Sequence, residues 1–138
     1  MPFQKRSAAI SPAEFVQRYL LSFPVACFSL TVLTDVAYWQ TSNLLWLHFS
    51  EWLLLAGLVF GVLAGVVAVI RKIAGVPGLT WITILGWIAV LGLAILNSLI
   101  HTADGWTAVI PWGITTSILT LIVMMVVAFL GCRGQENA

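Results

Sequence analysis

Four long apolar stretches, separated by short polar breaks, set the frame of this 138-residue chain. Ser11-Pro12-Ala13-Glu14 opens the first. Serine caps free N–H groups, proline suits the first helical position, and the glutamate side chain can reach back to the cap. Helix 1 is predicted over about 12–39, with a bend at Pro24, where one backbone hydrogen bond is lost. Gln40-Thr41-Ser42-Asn43 is a polar turn, and Ser42 or Asn43 can cap helix 2, predicted over 43–73. Gly75-Val76-Pro77-Gly78 breaks the chain before helix 3, predicted over 80–100. Ala103-Asp104-Gly105 marks the next turn, and Pro111 opens helix 4, predicted over 110–130. Each stretch supplies the ~20 apolar residues that a bilayer core requires. Short connections make sequential helices antiparallel neighbours. The expected fold is all-α: a polytopic membrane protein forming one four-helix domain over 1–138.

Composition removes the water-soluble alternative. Charged residues make up only 8% of the chain, against about 25% in soluble domains. A soluble bundle also needs a polar face on every helix, and Val59 to Ile70 has none. The few basic residues then report orientation. Lys5, Arg6 and Arg18 lie near the start, Arg71 and Lys72 in the middle, and Arg133 near the end. The two other connections contain no Lys or Arg. Lys and Arg are retained on the cytoplasmic side, so both termini and the middle loop are expected inside, N-in/C-in. With a net charge of +1 and no basic stripe, nucleic acid is not an expected partner. The first apolar stretch is too long for the core of a cleaved signal and reads as a retained helix. Cys27 lies within it and Cys132 at the inner edge of the last stretch, so no disulfide is expected.

Several residues carry more than topology. Gly57, Gly61 and Gly65 recur every fourth position on helix 2 and form a smooth stripe for close helix packing. The neighbour is another helix of the chain, a second copy, or another membrane subunit. Trp39, Trp46, Trp52, Trp106 and Trp112 fall toward the outer side, where tryptophan anchors helices at the interface. The same cluster also offers a docking or quinone-like surface. His48 and Glu51 are three apart on helix 2, and His101 and Asp104 repeat that spacing at the end of helix 3. Asp35 lies at a similar depth, and Asn97 lies one helical turn below His101.

Four readings of these polar residues are open. They form an outer rim that faces water and caps helix ends. They bind a metal ion through His48, Glu51, His101 and Asp104. They hold a haem between His48 and His101. Or they relay a proton or substrate, which requires that they be buried. Hydroxyls within helices, such as Ser29, Thr31, Thr83 and Thr116, are expected to bond to their own backbone. There is no Gly-x-Ser-x-Gly, phosphate loop or His-Glu-x-x-His, so catalysis by this chain is not expected.

Leu21-Ser22-Phe23-Pro24-Val25, then Asp35, the run Ala56 to Gly65, Asn97 before a polar turn, Pro111-x-Gly113 and Gly131 span much of the chain. Together they resemble a bacterial family of small four-helix membrane domains of unknown function. Such domains usually carry histidine-proline near the start of helix 1, where this chain has Ser11-Pro12. The resemblance implies a bacterial inner-membrane location. It also implies service to outer-side redox chemistry, because such domains occur alone or joined to periplasmic quinoprotein (sorbosone-type) dehydrogenases or cytochrome-like domains. It carries over no catalytic residue. The loops here are too short to hold a redox domain, so that chemistry would belong to a separate chain.

The leading expectation is an anchor or accessory subunit embedded in the lipid bilayer. It would present a rim of Asp35, Trp39, Trp46, Trp52, Asn97, Trp106 and Trp112 to a membrane or periplasmic redox partner. The alternatives are an electron carrier holding haem b or a metal ion at His48 and His101, and a small transporter working as a homo-oligomer.

Overall fold

The computed structural model describes residues 10–76, 80–103 and 109–136, with side chains described as far as Arg133. Lys5, Arg6, Pro77, Gly78, Asp104, Gly105 and Trp106 lie outside the described residues. The described chain forms four long helices: α1 (Pro12–Thr41), α2 (Leu44–Ile73), α3 (Trp81–Thr102) and α4 (Ile114–Glu136).

Local chemistry explains where these helices begin and end. The Ser11 hydroxyl accepts from the Glu14 N–H at 3.2 Å, with Pro12 in the first turn. The Glu14 carboxylate does not reach back to the cap; it accepts from the Arg18 guanidinium at 2.7 Å instead. α1 runs unbroken through Pro24 to Thr41, two residues beyond the expected end. Ser42 stops it by taking the left-handed conformation (φ 51°), with its N–H bonded to the Tyr38 carbonyl. Asn43, not Ser42, then caps α2, accepting from the Leu45 N–H at 3.0 Å. Thr80 caps α3 in the same manner.

Helix 4 departs most from its expected bounds. Val109–Gly113 forms a wide turn in which Ile110 is extended (φ −120°, ψ 116°), and the regular helix starts only at Ile114. Proline disfavours the helical region for the residue before it, and at Ile110, unlike Phe23 before Pro24, that preference is realised. At the other end the helix passes through Gly131 and reaches Glu136. Gly131 lies against Thr83, where a Cβ would meet Thr83 Cγ2 at 3.5 Å. It serves the α3–α4 contact rather than a helix stop.

The helices pack in a ring, each on its sequence neighbours, with α4 closing onto α1. Phe28 with Gly57, Leu91 with Gly61 and Val127 with Gly86 set the antiparallel register. Phe28, Leu54, Val90, Ala94, Met124 and Val127 form the main core, and Tyr38, Leu47 and Val109 a second one near the α1–α2 turn. The three glycines of helix 2 do not share one neighbour. Gly57 faces the Phe28 ring of α1, Gly61 faces Leu91 of α3 and Pro24 of α1, and Gly65 has no atom within 4 Å of where a Cβ would stand.

The outer surface is as apolar as the core. Leu33 (64%), Ile82 (68%), Leu85 (62%) and Met125 (60%) are among many large side chains left exposed. Only 17–33% of the most apolar window of each helix is buried within the protein. Hydrocarbon tolerates such a surface, and helices satisfy their own backbone groups there. The chain is a multi-pass membrane protein with four helices long and apolar enough to span a bilayer. One end of the bundle carries the α1–α2 turn and is called here the hairpin end. The other carries Arg71, Lys72 and Arg133 and is called the basic end.

A buried carboxylate–imidazole cluster as candidate functional site

Each helix turns a polar side chain onto its inward stripe near the hairpin end. On α1, Asp35 follows Phe28 and Thr31 at helical spacing, and all three are buried. On α2, Ser50 lies between the buried Leu47 and Leu54. On α3, Asn97 and His101 continue the line of Val90 and Ala94. On α4, Ser117 lies one turn beyond the buried Gly113. Asp35 and His101 have no exposed surface.

These groups converge on the Asp35 carboxylate. Oδ1 accepts from the Ser50 hydroxyl at 2.6 Å and contacts His101 Nε2 at 2.8 Å. Oδ2 accepts from the Ser117 hydroxyl at 2.5 Å. A second tier supports the first. The Asn97 amide N–H donates to Ser117 Oγ at 2.8 Å. Thr34 Oγ1 lies 2.7 Å from Ser50 Oγ. The single Thr34 proton also has the Thr31 and Leu30 carbonyls within reach, at 3.0 and 3.1 Å. One carboxylate on α1 thus gathers hydrogen bonds from the three other helices, including diagonal α3.

Hydrogen-bond bookkeeping fixes the proton count. His101 Nδ1 lies 2.9 Å from the Asn97 carbonyl, which can only accept, so Nδ1 carries a proton. The remaining contact, Nε2 to Asp35 Oδ1, then needs one more proton to be a hydrogen bond. That proton sits on the imidazole or on the carboxyl, and in either state the pair is neutral overall. An isolated charge at this depth would cost several kcal/mol (about 2.5 or more). The shared proton removes that cost while leaving two titratable groups in contact.

Two further features shape the site. Gly113 brings α4 against the imidazole: a Cβ there would lie 3.1 Å from His101 Cε1 and 3.3 Å from Val109 Cγ1. Any side chain would displace the ring. Asn97 Oδ1, in contrast, is buried without a partner. Turning the amide over would place the oxygen against Ser117 and leave the nitrogen without an acceptor, so one end of Asn97 remains unfilled either way.

The structure separates residues that sequence spacing had grouped. His48 and Glu51 pair with each other at 3.1 Å on the outside of α2, with side chains 62% and 30% exposed. His48 precedes the inward Ser50 by two residues, about 200° around the helix, and so points away from the bundle. His48 and His101 therefore do not face a common haem or metal. Both His101 nitrogens are already engaged. Among the described residues no three His, Cys, Asp or Glu side chains are placed to share a metal ion. Asp104 lies outside the described residues.

The expected outer rim divides in the same way. Trp39 (57%), Trp52 (70%) and Trp112 (68%) are exposed, and Trp46 is half-buried against Tyr38, Leu47 and Val109. Asp35 and Asn97 do not belong to that rim, because both lie on inward stripes and are buried. Trp106 is outside the described residues.

Sequence reasoning passed over Ser50, Ser117 and Thr34. Ser29, Thr31 and Thr116 do bond to their own helix backbones as expected. Ser50 and Ser117 instead bond between helices. A signal was present. Ser50 shares a stripe with Leu47, Leu54, Gly57 and Gly61, and a hydroxyl on an otherwise apolar inward stripe needs a partner across the bundle.

No curated protein and no solved structure matches the chain. A family model does match, over residues 19–135, which include Asp35, Ser50, Asn97, His101, Gly113 and Ser117. The match covers most of the chain and agrees with the four apolar helices, so this protein belongs to DUF2231, a family of predicted membrane proteins of unknown function.

Proposed function

We propose that this protein is an accessory subunit of the bacterial inner membrane, with both termini inside. In this reading its Asp35–His101 pair accepts and returns a proton on behalf of a redox partner at the outer side. The observation that carries the reading is the buried carboxylate–imidazole contact between α1 and α3, held by hydroxyls from α2 and α4. Ionisable groups within a membrane are costly and are ordinarily kept for a task. Here the pair can bind a proton or lose one with little rearrangement, because the surrounding hydroxyls can rotate.

Location supports the same reading. Asp35 lies six residues before the end of α1, about 9 Å of helix. His101 is one residue from the end of α3. The pair is therefore shielded yet close to the hairpin end. Arg71, Lys72 and Arg133 gather at the opposite end, which supports placing that end in the cytoplasm. Trp39, Trp52 and Trp112 suit the outer interface and offer an apolar surface for the partner. Oxidation of an alcohol or a quinol on that side releases protons, and the pair would take one up and pass it to water.

Infrared difference spectra of the membrane-embedded protein, recorded across pH, test the proton role. A carboxyl or carboxylate band that disappears in Asp35→Asn and shifts in His101→Gln is expected. Spectra unchanged by either substitution would end the proposal. Co-purification from native membranes tests the partner: a redox chain should accompany the wild-type protein and dissociate when Trp39 and Trp52 are replaced by Ala.

A further inference from the structure

The basic end contains a different kind of site. An open cleft of about 680 Å³ is lined there by all four helices, within the range of small-molecule pockets, roughly 300–1,000 Å³. Its walls are hydrocarbon, supplied by Leu21 and Val25 of α1, Gly65 of α2, Trp87 and Leu91 of α3, and Val127 of α4. The charged groups and Gln17 gather at the mouth: Glu14, Gln17 and Arg18 from α1 and Arg71 from α2.

These groups do not cancel. Arg18 is paired with Glu14 at 2.7 Å. Arg71 donates through Nη1 to Gln17 Oε1, a neutral acceptor, and its Nε is buried without a partner. Gln17 is itself buried. Among the described residues the mouth of the cleft thus holds one guanidinium more than its carboxylate answers, with an N–H still to be satisfied. A guanidinium presents donors in a planar fork that fits phosphate.

We infer that this cleft binds an anionic phospholipid, with an acyl chain between the helices and the phosphate on Arg71. Basic pockets between helices on the cytoplasmic side are suited to anionic headgroups, which are concentrated in that leaflet. Gly65 fits this use. It is not needed for helix contact, since a Cβ there would meet no atom within 4 Å. What glycine preserves at that position is room in the cleft. The inference is independent of the Asp35–His101 pair, which lies toward the other end of the bundle.

Native mass spectrometry of the full chain tests it, with phosphatidylglycerol and phosphatidylcholine offered at equal mole fraction. The wild-type protein should retain phosphatidylglycerol about five- to tenfold over phosphatidylcholine, because both offer a phosphate to Arg71 but the choline ammonium opposes the guanidinium charge. Arg71→Gln should abolish the preference while leaving some lipid bound. Gly65→Leu, which fills the cleft without displacing a helix, should reduce occupancy by both lipids. Circular dichroism and gel filtration verify that each variant is folded; Gly65→Ala serves if Gly65→Leu fails to fold, and Arg71→Met, which should lose the preference in the same way, serves if Arg71→Gln does. Equal retention of the two lipids by the wild-type protein would overturn the inference. So would a preference that survives Arg71→Gln, or a quinone or other isoprenoid found in place of phospholipid.

Discussion

Replacing Asp35 by alanine removes the acceptor at the centre of the bundle. Three groups lose their partner together: the Ser50 hydroxyl at 2.6 Å, the Ser117 hydroxyl at 2.5 Å and His101 Nε2 at 2.8 Å. Asp35 and His101 are fully buried, so the loss is not offset by exposure at the surface. Interhelical hydrogen bonds in lipid average about 0.6 kcal/mol each, so three of them set a lower bound of about 2 kcal/mol. Leaving one partner of a buried pair uncompensated sets an upper bound of about 5 kcal/mol. Asp35→Ala should therefore destabilise the bundle by about 2–5 kcal/mol. Asp35→Asn keeps an acceptor for Ser50 but turns a donor toward Ser117, so a smaller loss is expected. Reversible unfolding in bicelles titrated with a denaturing detergent measures these values. A double-mutant cycle with His101→Ala isolates the pair, with an expected coupling of about 1–3 kcal/mol. Glu51→Ala on the outside of α2 is the reference. If Asp35→Ala cost no more than Glu51→Ala, or if the coupling were zero, the cluster would not hold the helices together as described.

Other substitutions follow from the same geometry. Gly57→Val drives a side chain into the Phe28 ring and should cost about 1–3 kcal/mol, whereas Gly65→Leu enters open space and should leave unfolding stability unchanged. Gly113→Ala places a Cβ 3.1 Å from His101 Cε1; it should move the imidazole and alter its NMR shifts, with a loss of about 1–2 kcal/mol. Phe28→Ala should open a cavity at the α1–α2 contact and cost about 3–5 kcal/mol in the same unfolding assay. A topology reporter placed after Ala138 should read inside and one inserted at Ser42 outside; the reverse result would refute the orientation taken from the basic residues.

The helices were legible because lipid imposes a simple rule. A run of ~20 apolar residues must be helical when no water is present to bond the backbone. Ser11, Pro12 and Asn43 then act as caps through local chemistry that a neighbouring helix does not alter. The bounds of helix 4 were less legible. Pro111 reads equally as a first helical residue and as a break, and Ile110 takes the extended form that proline favours in its predecessor. The end at Gly131 was misjudged for a related reason. A glycine ends a helix or admits a neighbour, and Thr83 across the bundle determines which.

The candidate site shows where local reading ends. Histidine and carboxylate three residues apart suggested two matched pairs, His48 with Glu51 and His101 with Asp104. The first pair does form, but on the exposed side of α2. His101 pairs instead with Asp35, 66 positions away, across the bundle diagonal. Ser50 was marked only by its place on the apolar stripe of Leu47, Leu54, Gly57 and Gly61, and which group across the bundle it would meet was not written there.

Sequence alone determined what depends on composition and short-range chemistry. It established that the chain enters lipid, that it does so as four helices, and which ends of those helices are basic. The rotation and register of one helix against another were decided only in the assembled bundle, by glycines that admit Phe28 or His101 and by side chains that fill the space between. A buried polar group must find its partner wherever packing brings one, and no spacing along the chain encodes that distance.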